Sequence, residues 1–153
     1  MATEIIDKTD RVRRNISESG KRKVDEEMSD KVQEYKNKTS EEITKRIMEL
    51  EQEWSIERKI ETFASTLSLT GILIAWYSKN RNWTIFSGVV VAFLFQHGTQ
   101  GWCPPIPLFR KFNAKTRKEL DWEKYALKYL RGDFDNLSKN NPDEILNAMK
   151  KLL

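Results

Sequence analysis

Thr62–Ser78 reads TFASTLSLTGILIAWYS. After Lys79-Asn80-Arg81 the chain continues from Asn82 to Phe109 as NWTIFSGVVVAFLFQHGTQGWCPPIPLF. These 48 residues hold two of the protein's 50 full charges, Lys79 and Arg81; the other 48 lie in the remaining 105 of its 153 residues. At roughly 1.5 Å per residue the first uncharged run makes a helix about 26 Å long, at the lower end of what crosses a bilayer core about 30 Å thick. The second is adequate from Trp83 to about Trp102, where Pro104, Pro105 and Pro107 end the helix. A connection of about four residues forces the two helices to lie antiparallel. The expected fold is all-α: an antiparallel transmembrane helical hairpin with amphipathic cytoplasmic helical arms.

Three patterns support that reading. Trp76, Tyr77 and Trp83 cluster at the hairpin tip and Trp102 lies at the far end, where amphipathic rings favour the membrane–water boundary. Small residues recur every three or four positions, Ala64, Ser68, Gly71 and Ala75 on the first helix and Thr84, Gly88 and Ala92 on the second. Gly71, Ala75, Gly88 and Ala92 are therefore the expected close-packing positions. Residues 43–61 carry four Lys/Arg and residues 110–128 carry seven, against two at the tip. The positive-inside rule then places both termini in the cytoplasm. The rival is a soluble helical-bundle adaptor that buries both runs, since Ser65, Thr66, Ser68 and Thr70 dilute the first.

Outside the hairpin the expected divisions are a charged N-terminal arm over 1–38, an amphipathic stalk over 39–61, the membrane segment over 62–109 and a basic arm over 110–153. MATEIIDKTD has early acids and no apolar stretch, so no signal peptide is expected. Val24, Met28, Val32 and Tyr35 form a thin helical stripe. Thr39 and Glu42 form a capping box, followed by Ile43, Ile47, Leu50 and Trp54 at 4-3-4 spacing. One helix is expected from about Ser40 to Ser78. Thr116 with Glu119 makes a second capping box, opening a helix to Arg131 that stops at Gly132. Asn141-Pro142-Asp143-Glu144 starts a last helix.

Chemical signatures are sparse. Cys103 is the single cysteine, so no disulfide forms within the chain; near Arg110, Lys111 and His97 it is the candidate for a thiol-dependent sulfur carrier or redox protein, or for lipidation. His97 sits in the polar patch Gln96–Gln100 and suits either a relay or a headgroup position. Arg110, Lys111, Lys115, Arg117 and Lys118 put five positive charges in nine residues, the pattern expected for anionic lipid headgroups. No recognisable nucleic-acid-binding motif accompanies those charges, so no nucleic acid is expected. No phosphate loop, metal-ligand spacing or nucleophile elbow is present, so neither a metal, a cofactor nor a catalytic site is expected.

Gly101-Trp102-Cys103-Pro104, closing two short apolar helices, resembles the YgaP-like inner-membrane two-helix domain family. So do Glu53-Trp54-x-Ile56-Glu57-Arg58, Gln96-His97, Pro104-Pro105-x-Pro107 and the run Ala126-Leu127-Lys128-x-Leu130-Arg131-Gly132-Asp133-Phe134. The resemblance covers a little over half the chain. It implies a bacterial inner-membrane hairpin whose general role is undefined. From the apolar runs and the basic cluster, the expected partners are membrane lipids and a second copy or an unidentified protein. The rhodanese activity attached to this domain in the family's namesake is not implied, because no rhodanese loop is present. The long N-terminal arm and the helix after Asn141 depart from the family pattern.

Overall fold

The backbone of residues 10–135, which the computed structural model describes, is helical, with no strand among the described residues. Asp10 opens α1 (Arg11–Arg14), its carboxylate accepting the Val12 and Arg13 N–H groups at 3.0 Å each. The thin apolar stripe of the N-terminal arm folds as α2 (Glu18–Tyr35). The first capping box is formed: the Glu42 carboxylate accepts the Thr39 N–H at 2.9 Å and the Thr39 hydroxyl accepts the Glu42 N–H at 3.3 Å. It opens α3 (Ser40–Gln52).

The expected single helix from Ser40 to Ser78 is two helices. α3 ends at Gln52 and α4 spans Ile56–Ser78. Ser55, in extended conformation, caps α4 by accepting the Arg58 N–H at 3.4 Å, and the Ile56 N–H donates to the Lys115 carbonyl at 2.8 Å instead of to a preceding helical turn. Trp54, expected to continue the Ile43–Ile47–Leu50 stripe, is exposed and carries the Arg58 guanidinium 4.3 Å from its ring centroid. The break resets the helix so that Ile56, Ile60 and Ala64 become its buried face.

At the hairpin tip, Lys79 takes the left-handed conformation (φ 52°) to end α4, and the Asn80 side chain accepts the Asn82 N–H at 3.0 Å to start α5 (Arg81–Gln100). The connection is two residues. α5 ends at Gly101, whose positive φ of 75° lets its N–H reach the His97 carbonyl at 2.8 Å. The prolines that stop α5 then start α6 (Ile106–Lys111), where a missing N–H costs nothing in the first turn. The second capping box is also formed, between Thr116 and Glu119. It opens α7 (Arg117–Arg131), which stops before Gly132 (φ 86°). The helix expected after Asn141 lies outside the described residues.

The chain divides into two compact units, Met1–Lys23 with Glu53–Leu120 and Val24–Gln52 with Asp121–Leu153. In the first, Val12, Ile56, Ile60, Cys103, Ile106 and Ala114 form the core, with Ile16, Leu94 and Phe109 packed against it. In the second, Ile43, Ile47, Leu50 and Leu127 are buried. The Arg46 guanidinium grips Glu123 at 2.8 Å, and Arg131 donates to the Thr44 hydroxyl at 2.7 Å.

Among the described residues, no helix is long and apolar enough to cross a membrane. The hydroxyl residues between Ser65 and Thr70 dilute α4, and Gln96–Gln100 make the last turn of α5 polar. The all-helical hairpin is therefore present, while the spanning property expected of it is not carried by the hydropathy of either helix.

Candidate functional site at the base of the hairpin

The α4–α5 pair carries a hydroxyl contact at the middle of its seam and large apolar side chains on its outside. Facing inward are Ser68 and Ser87, both buried. The Ser68 hydroxyl donates to the Ser87 carbonyl at 3.3 Å, and the Ser87 Oγ lies 3.0 Å from the Ser68 carbonyl. Gly71 makes the contact possible, since a Cβ there would fall 2.3 Å from the Ser87 Oγ. Facing outward are Leu69, Ile72, Leu73, Ile85, Val89, Val91 and Phe95, each about half exposed or more, and at the tip Trp76 (82% exposed) and Tyr77 (93%). The outward hydroxyls of Thr66, Ser78 and Thr99 are satisfied within their own helices, each donating to the carbonyl four residues back at 2.7–3.0 Å.

Of the four expected packing positions, Gly71 is buried against Ser87 and Ala75 is half-buried. Gly88 and Ala92 face outward, and nothing lies within 4 Å of a Cβ built on Gly88. The face of α5 turned toward α4 carries Ser87, Val90, Leu94 and His97, one residue step (about 100°) from the small-residue stripe.

At the other end of the hairpin lies a buried polar cluster that no local pattern in the sequence exposes. The Glu119 carboxylate, fully buried, receives the Arg110 guanidinium at 2.7 and 3.1 Å, Arg13 at 3.2 Å and the Thr116 N–H at 2.8 Å. The Thr116 hydroxyl donates to Asp10 at 2.6 Å. Two carboxylates and two guanidiniums thus close a balanced network, the arrangement that buried charge requires. Thr116 and Glu119 are visible in the sequence as a capping box. Their partners Asp10 and Arg13 are more than a hundred residues away, beyond any spacing rule.

The five expected headgroup-binding cations do not form one open patch. Arg110 is spent on Glu119 and on the Ala114 carbonyl at 3.2 Å. Lys115 is buried, Lys118 half-buried, and Lys111 and Arg117 are exposed, the Arg117 N–H donating to Glu57 at 3.1 Å.

Gly101, Trp102, Cys103 and Pro104 form the turn between α5 and α6. Gly101 is overlain by the backbone of Arg11, 2.4 Å from where a Cβ would stand. Trp102 and Pro104 are exposed, and Cys103 is 1% exposed in the core. Burial pushes its thiol up from the ordinary range, only partly offset by the Ile106 N–H. The lowered pKa that a nucleophilic thiol requires is not found, because burial disfavours the thiolate. Cys103 instead helps to close an apolar cleft of about 150 Å³ between Ala64, Leu67, Val90 and Leu94. His97 is buried on the α4-facing side of α5, and its Nδ1 has no hydrogen-bond partner among the described residues. Among those residues, no three His, Cys, Asp or Glu side chains converge into a metal site.

No family model, curated protein or solved structure matches the chain.

Proposed function

We propose that the protein is a small non-enzymatic membrane protein whose α4–α5 hairpin is immersed in lipid and anchors the helical arms at the cytoplasmic face of a bacterial inner membrane. One observation carries this reading: the hairpin pairs the Ser68 and Ser87 hydroxyls at its seam and leaves large apolar side chains such as Leu69, Ile72, Val89 and Phe95 exposed. In water such a belt is a cost, because monomeric proteins rarely leave a large contiguous apolar surface uncovered. In hydrocarbon it is the solvated surface, and the helix–helix contact then uses small residues and interhelical hydrogen bonds. The low hydropathy of α4 is a weaker objection than it looks, since it counts as polar the hydroxyls that Thr66, Ser68 and Ser78 spend on carbonyls.

The charge-free lengths, Thr62–Ser78 and Asn82–Gln100, give about 26 and 28 Å of helix, close to the hydrocarbon thickness. On this reading Trp76, Tyr77 and Trp83 sit at the far boundary with Lys79 and Arg81, and the resemblance to the YgaP-like two-helix domain follows from the Gly101–Pro104 turn that closes the hairpin. Lipids are the partners along α4 and α5, and Lys111 is an exposed cation beside them. A second reading, in which another copy of the chain covers the belt, is favoured by the absence of a spanning helix among the described residues.

Fractionation separates the two. The lipid reading expects the protein in the membrane pellet after an alkaline carbonate wash, released by detergent alone. Recovery as a monodisperse oligomer in buffer without detergent would replace it with the second.

A further inference from the structure

We infer that Asp10–Ile16 is a releasable latch over the base of the hairpin, and that its departure uncovers the Cys103 thiol and uncaps α5.

Three kinds of contact hold the segment down, all within one unit. Val12 is buried and Ile16 half-buried in the same core as Cys103, Ile56 and Ile106, so this segment supplies part of the core in which the thiol lies. Arg11 donates from its guanidinium to the Gly98 carbonyl, and the Asn15 side chain donates to the Gln100 carbonyl at 2.9 Å. These are carbonyls of the last turn of α5, which have no partner inside their own helix. The latch is therefore the C-terminal cap of a helix 85 residues away in sequence. Asp10 and Arg13 complete the attachment, reaching Thr116 and Glu119 at 2.6 and 3.2 Å.

The same contacts make the segment separable. α1 is one turn of four residues, too short to persist without tertiary contacts. Its apolar anchorage is one buried side chain, Val12, with Ile16 beside it; Asp10 and Arg13, also buried, are held through polar groups. Glu119 keeps Arg110 and the Thr116 N–H when Arg13 leaves, so the network does not collapse with the latch. The rest of the core, Ile56, Ile60, Ile106 and Ala114, belongs to the hairpin base and the loops that follow it. A segment of one helical turn with a single buried apolar side chain, set on a larger apolar base, opens locally before the whole unfolds.

The test uses the full chain in detergent micelles, with the lone cysteine as reporter. Native Cys103 should alkylate slowly with a small maleimide, and the double variant Asp10→Asn with Arg13→Ala should react at least tenfold faster while its helical circular dichroism is unchanged. Lys79→Ala, at the tip, should leave the rate as it was. Hydrogen exchange on the unaltered protein needs no variant: amides of residues 12–16 should exchange well ahead of those of α4 from Ile60 to Ser68. Equal alkylation rates in a folded double variant would overturn the latch. So would latch amides that exchange only together with α4.

Discussion

Gly71 and Gly88 have the same residue type in the same hairpin and opposite surroundings. A methyl at position 71 would stand 2.3 Å from the Ser87 Oγ and 3.2 Å from the Phe86 ring, so Gly71→Ala should push the helices apart at a cost of about 1–3 kcal/mol, the usual range for overpacking. A methyl at position 88 meets nothing, so Gly88→Ala should be neutral or stabilising by up to about 1 kcal/mol through helix propensity. Thermal unfolding of the two variants in one detergent checks the contrast; equal losses would place the seam on the wrong face of α5. The role of Gly71 is legible in the sequence, because a glycine amid Ala64, Ser68 and Ala75 marks a close approach. The facing side of α5 is not, because Thr84, Gly88 and Ala92 form as regular a stripe as the one that packs. Ser87 marks the side that packs: its hydroxyl lies 3.0 Å from the Ser68 carbonyl across the seam, as well as 3.0 Å from the Trp83 carbonyl of its own helix.

At the scale of elements, the helices whose ends are written in capping chemistry are readable. Thr39 with Glu42, Thr116 with Glu119 and Gly132 after Arg131 all lie where their side chains or torsions demand. The break at Gln52–Ser55 is not readable, since Ser55 is followed by Arg58 rather than an acid, and the interruption is fixed by a distant acceptor, the Lys115 carbonyl. α1 is invisible for the same reason: four residues carry no period, and its partners are remote. The end of α7 gives a pH dependence. Arg131 donates to both oxygens of Asp133, at 2.7 and 2.5 Å, and those bonds hold the carboxyl below the usual aspartate range. A group depressed in the folded state stabilises above its unfolded pKa, about 3.9, and that stabilisation is lost as pH falls through the lower folded value. Unfolding midpoints followed from pH 6 down to pH 2 should therefore fall more steeply for the parent protein than for Asp133→Asn. Parallel curves would remove the pair from the account.

At the scale of the whole molecule, the division between an ion-free middle and charged flanks is plain in the sequence, and the two-helix hairpin follows from it. The serine contact of that hairpin is not, since composition counts Ser68 and Ser87 as diluting a membrane helix whichever way they point. The geometry makes them the contact and leaves Leu69, Ile72, Val89 and Phe95 outside. The base carries paired charges and the buried Cys103, the belt exposed apolar side chains. The most direct measurement is spin-label accessibility at positions 69, 72, 89 and 95, each substituted singly with cysteine in a Cys103→Ser background and reconstituted in phospholipid vesicles. The account predicts collision with dissolved oxygen and protection from a water-soluble nickel chelate at all four. Protection from both reagents, or free access of the chelate, would contradict it.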